Sequence, residues 1–171
     1  FMKAKKLLAV LMTSAMLFGT ALPTFAAGKP QESDATTVTV SKVETGATVT
    51  AYQIANAVYN SNGFVKYESK YVENVAAPTS NEIADVAAKI NNGKLNNLKS
   101  VVMLDGDNDG VYENELNPGL WVVLVRGTHG AKIYNPMLVS VAYSVSGSDA
   151  TMTPGNINAD TNWTLETNNA W

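Results

Sequence analysis

The sequence predicts a mainly β chain folded as an antiparallel sandwich with one inserted α-helix. Three observations predict it. Short period-two runs rich in Val, Thr and Tyr recur at regular spacing, Gly and Asn clusters punctuate them, and a single segment repeats its apolar residues at helical spacing.

The first 26 residues stand outside that pattern and read as an export signal. Lys3, Lys5 and Lys6 precede an apolar run from Leu7 to Leu22, and Thr24-Phe25-Ala26 sets small residues where signal peptidase needs them. Thr13, Ser14, Gly19 and Thr20 break the run, which argues against a permanent membrane anchor. The chain has 12 basic and 15 acidic residues, so losing three lysines leaves the exported part more acidic.

Residues 27–36 are polar and read as a flexible leader, with the domain expected over 37–171. Val38, Val40 and Lys42 then alternate with Thr39, Ser41 and Val43, the pattern of a strand. After Glu44-Thr45-Gly46, Val49, Ala51 and Gln53 oppose Thr50, Tyr52 and Ile54, and the two runs are expected to pair as a hairpin. Asn60-Ser61-Asn62-Gly63 marks a second hairpin turn. A helix is expected over about 79–92. Thr79 or Ser80 caps it, Glu82 completes a capping box, and Ile83, Val86, Ala87 and Ile90 form its apolar face before Asn92-Gly93 stops it.

Strand patterns resume at residues 100–104, 119–127 and 132–145. The middle one is apolar on both faces, as a central strand beneath a covering element should be. Weaker strands at 150–152 and 162–166 close the pattern. Eight or nine short strands plus one helix make the predicted architecture an immunoglobulin-like antiparallel β-sandwich.

Composition narrows the chemistry. The chain has no cysteine and one histidine, which rules out a disulfide framework, a thiol nucleophile and a zinc site of the usual donors. An isoelectric point near 5.1 offers no basic surface for nucleic acid. One motif invites a metal: Asp105-Gly-Asp-Asn-Asp-Gly110 matches the first half of a calcium loop. The candidate Ca2+ donors are Asp105, Asp107, Asp109, the Val111 carbonyl and Glu115, although Leu116 occupies the position where a closing glutamate belongs. The competing reading is a hairpin turn that uses Asp and Gly for backbone reasons. His129, in Gly127-Thr-His-Gly130, has no recognisable nucleophile setting around it, so no catalytic residue is assigned.

The segments GATVTAYQIANAVYN, PGLWVVLVRGT, YNPMLVSVAYS and NADTNWTLET together resemble the N-terminal domain of Gram-positive sortase-assembled shaft pilins. The resemblance covers about residues 36–171. It implies a non-enzymatic sandwich domain, stacked head to tail in a cell-wall-anchored fibre at the cell surface that serves adhesion or colonisation. The implied partners are neighbouring pilin subunits, a pilin-specific sortase, peptidoglycan reached through the polymer, and host surfaces or glycans. Such subunits are joined through a pilin-motif lysine and an LPxTG-like signal. Neither is found here, Lys132 stands in the wrong order to be that lysine, and the expectation is a fragment cut at its first domain boundary. The resemblance also raises an internal Lys–Asn isopeptide bond, for which Lys42 and Asn162 are the candidates. Its acid partner is not found, because Arg126 stands where related domains place a glutamate. The alternative is a secreted carbohydrate- or matrix-binding adhesin module with a calcium-stabilised loop. An exported hydrolase is third and would need a pocket joining His129 to a carboxylate and a hydroxyl.

Overall fold

The computed structural model describes residues 12–13, 30–61, 63–130, 132–146, 149–152, 155–159 and 163–165. The strands are β1 (Thr36–Ser41), β2 (Thr48–Asn60), β3 (Gly63–Glu68), β4 (Ser100–Met103), β5 (Tyr112–Leu116), β6 (Gly119–Arg126), β7 (Lys132–Tyr134), β8 (Met137–Val141), β9 (Tyr143–Ser146), β10 (Asp149–Met152), β11 (Gly155–Asn158) and β12 (Trp163–Leu165). Helix α1 (Ser80–Asn91) lies between β3 and β4.

The main sheet runs β8-β6-β2-β3, with β4 also paired to β2. Met12–Thr13 pair in parallel with Met137–Leu138 at its outer edge. The opposing sheet places β1 between β5, antiparallel, and β11, parallel. Two small ladders, β9 with β10 and β7 with β12, complete the pairing.

Two apolar clusters follow from this layering. Val38, Val40, Leu116 and Ile157 of the opposing sheet meet Val49, Ala51, Trp121, Val123 and Val139 of the main sheet. On the other face of the main sheet Leu120, Val122, Leu124 and Leu138 meet Ile83, Val86, Ala87 and Ile90 of α1. β6 therefore buries both faces, which explains why its sequence is apolar without alternation. The helix forms as its sequence predicts. The Glu82 amide donates to the Thr79 hydroxyl at 3.1 Å and the Thr79 amide donates back to the Glu82 carboxylate at 2.9 Å.

The first expected hairpin is corrected. β1 does not pair with β2, because residues 42–47 carry the chain across from the opposing sheet to the main one. Alternation stops at Lys42, whose φ of 64° turns the backbone, so Lys42 is exposed and Val43 is buried. Period-two patterning fixes which face a strand buries, and two strands can bury those faces against each other across a sandwich as well as side by side. The second hairpin forms as expected between β2 and β3.

A bulge in β2 also escapes the alternation. The β2–β6 register shifts between Gln53 and Ala55, and adjacent Ile54 and Ala55 both reach the helix-side cluster. Gly119 faces this bulge at φ 152°, where a Cβ would lie 2.2 Å from the Ala55 carbonyl oxygen. Further on, Asn135-Pro136 splits the long 132–145 run into separate strands.

Candidate functional site

The crossing between the two sheets is densely hydrogen-bonded. Its centre is Glu44. The Glu44 amide donates to the Tyr134 hydroxyl at 3.0 Å, and its carbonyl accepts from the Tyr112 hydroxyl at 2.8 Å. The same Tyr112 oxygen accepts from the Ala47 amide at 3.1 Å. The Glu44 carboxylate accepts the His129 amide and, at 2.9 Å, the Gly130 amide. Those two amides hold its pKa below the ordinary 4.5. One acidic residue thus fastens β5, β7 and the 127–130 turn to the crossing. Its sequence position offered only a turn signal, since the partners lie 68 to 90 residues away. Among the described residues no hydroxyl or carboxyl hydrogen-bonds the His129 imidazole.

The acidic turn is self-capped. Asp105 accepts the Asp109 amide at 3.0 Å and the Gly110 amide at 2.9 Å, and Asp109 accepts the Val111 amide at 3.0 Å. Desolvation raises the Asp105 pKa, but the Gly110 and Asp109 amides outweigh it and the net shift is downward. Gly110, at φ 83°, lets the turn lie against the crossing, where its carbonyl accepts the Val43 amide at 3.1 Å. A Cβ there would come 2.4 Å from the Val43 carbonyl oxygen. Asp107 and Asp109 are exposed in the turn. Glu115 is carried away along β5, roughly 13 Å beyond Val111 at the rise of a strand. Among the described residues no three His, Cys, Asp or Glu side chains converge as metal donors.

Lys42 is exposed at the end of β1, and Asn162 lies outside the described residues. A different lysine and asparagine meet: the Lys99 ammonium donates to the Asn117 carboxamide oxygen. Lys99 is exposed, so the apolar surround that amide formation requires is missing there. Asn117 in turn donates to the Asp34 carbonyl at 2.7 Å. The Asp34 carboxylate accepts the Tyr143 hydroxyl at 2.8 Å, and Tyr143 meets Tyr59 at 2.9 Å, so the segment ahead of β1 is tied to the sandwich.

Comparison with known proteins agrees with this architecture. The chain is 31% identical over 134 residues to the trypsin-resistant surface T6 protein of Streptococcus pyogenes serotype M6, covering 76% of this chain and 24% of that protein. Among solved structures it is similar to the T6 backbone pilin of serotype M6 Streptococcus pyogenes, described as a modular three-domain structure decorated with variable loops and extensions. The TM-score is 0.65 at 24% identity, over 80% of this chain and 30% of that one. The chain therefore spans about a quarter to a third of the length of these relatives. The family model of the T6 antigen Ig-like domain matches residues 33–167, from the tied segment ahead of β1 to β12, and the chain belongs to that family.

Proposed function

We propose that this chain is a structural domain of a cell-surface pilus, exported and joined by a sortase to copies of itself in a wall-anchored fibre. Its work is mechanical and it transforms no substrate. The surface T6 protein and the T6 backbone pilin lend the location and the fibre role. Among the described residues no helix is long and apolar enough to cross a membrane.

The observation that carries the mechanical reading is the parallel pairing of β1 with β11. Val38, Thr39, Val40 and Ser41 face Gly155, Asn156, Ile157 and Asn158 in register, and the Ser41 hydroxyl donates to the Ile157 carbonyl at 3.2 Å. In a parallel pair, pulling the N-terminal end of one strand against the C-terminal end of the other loads all the ladder bonds together in shear. β1 is also bonded along its other edge to β5, so the load spreads across the opposing sheet.

Detergent-boiled wall extracts of producing cells, blotted for this chain, test the reading. A ladder of high-mass species that collapses when the sortase is deleted is the expected result. A single monomer band found in the culture fluid would overturn it.

A further inference from the structure

We propose that a cavity at the C-terminal end of α1 is a binding site for a carboxylate carried on a short apolar body. The cavity, of about 360 Å³, lies where Asn91 of α1 faces the end of β6 and the β7–β8 bend. Small-molecule clefts run from roughly 300 to 1,000 Å³. Leu124, Ile133 and Pro136 give it apolar walls.

Arg126 lines it and is the sole arginine of the sequence. Its Nη1 donates to the Tyr52 hydroxyl at 2.7 Å, and its Nε and Nη2 donate to Asn91 Oδ1 at 3.0 and 2.8 Å. The guanidinium carbon sits 5.5 Å from the centre of the Tyr52 ring. Among the described residues no carboxylate pairs with it. Neutral partners therefore fix the plane of this half-buried cation without compensating its charge. Two of the five N–H groups of the guanidinium, one on Nη1 and one on Nη2, remain to donate to the oxygens of a carboxylate.

Asn135, on the β7–β8 bend, supplies the second observation. It is 2% exposed, and no described residue donates to its Oδ1. That unbound oxygen is an acceptor, and the donor it calls for is an N–H carried beside the carboxylate of the ligand. An ammonium would be repelled by Arg126, and a neutral amide would leave its charge uncompensated. The walls add a preference for branched hydrocarbon beside the anion. This inference stands independently of the fibre reading.

Titration of the isotope-labelled full chain tests it, followed at the Leu124 and Ile133 amides and at Arg126 Nε–H. The probes are N-acetyl-leucine, which mimics a peptide C-terminus, 4-methylpentanoate, a free acid of the same body, and N-acetyl-leucinamide, the uncharged analogue. Both acids should bind at least about tenfold more tightly than the amide. Tighter binding of N-acetyl-leucine assigns the ligand to peptide ends, and the reverse assigns it to free acids. In Arg126→Gln the preference for acid over amide should vanish. Asn135→Leu, close in volume, should weaken N-acetyl-leucine, whose N–H the oxygen would accept, more than 4-methylpentanoate, while its Tm stays level or rises because an unpaired buried oxygen is removed. The proposal is overturned if the amide binds as tightly as the acids, if the acids move the same resonances in Arg126→Gln, or if these resonances stay still at millimolar probe.

Discussion

Glu44 ties three distant parts of the chain to the crossing, two through its backbone and one through its carboxylate. The folded pKa values of Glu44 and Glu82 lie below the ordinary 4.5, because each carboxylate accepts two backbone amides. The unfolded chain therefore binds more protons as pH drops past that value. The stability these groups contribute is present above it and is lost as pH falls through the folded pKa values. Between about pH 5 and pH 3 the wild-type Tm should fall more steeply than that of Glu44→Gln, which keeps one of the two accepting oxygens but cannot titrate. Parallel curves in a thermal-melt series would show that the corner contributes nothing through its charge. Nothing local in the sequence distinguished Glu44 from an ordinary turn residue, since each of its anchors belongs to a distant strand.

Elements divide into those specified by their own sequence and those specified by neighbours. α1 is of the first kind: its cap, its box and its apolar stripe are all local, and each forms where the spacing predicts. Thr79→Ala removes the acceptor for the Glu82 amide and should cost about 1 kcal/mol in denaturant unfolding, with the slope unchanged. β6 is of the second kind in one respect. Its double-sided burial is legible, yet its register against β2 depends on a bulge at Gln53–Ala55 and on the missing side chain of Gly119. β11 was missed altogether, because residues 155–158 carry no alternation and gain strand geometry only by pairing with β1.

At the scale of the whole molecule, mechanical and thermal strength should separate. Val40 is fully buried within the β1–β11 pair, whereas α1 lies beyond the main sheet, off the path from β1 to β11. In single-molecule pulling from both ends of the chain, Val40→Ala should lower both the unfolding force and the Tm. Thr79→Ala should lower the Tm and leave the force nearly unchanged. Forces that simply follow the two Tm values would remove the clamp from the explanation. The acidic turn makes the same division between levels: its glycines and aspartates announced a tight bend, but its packing on Val43 came from the fold. By itself the sequence determined the buried faces of the regular strand runs and of the helix, where the helix starts and stops, and where the chain turns, because periodicity, caps and turn residues act over a few neighbours. The tertiary structure alone decided that β1 pairs across the molecule with β5 and β11, that Lys42 turns outward, and that Arg126 lies beside a cavity with no acid partner among the described residues. Those outcomes depend on which layers come together to exclude water, and that choice is made between residues far apart in the chain.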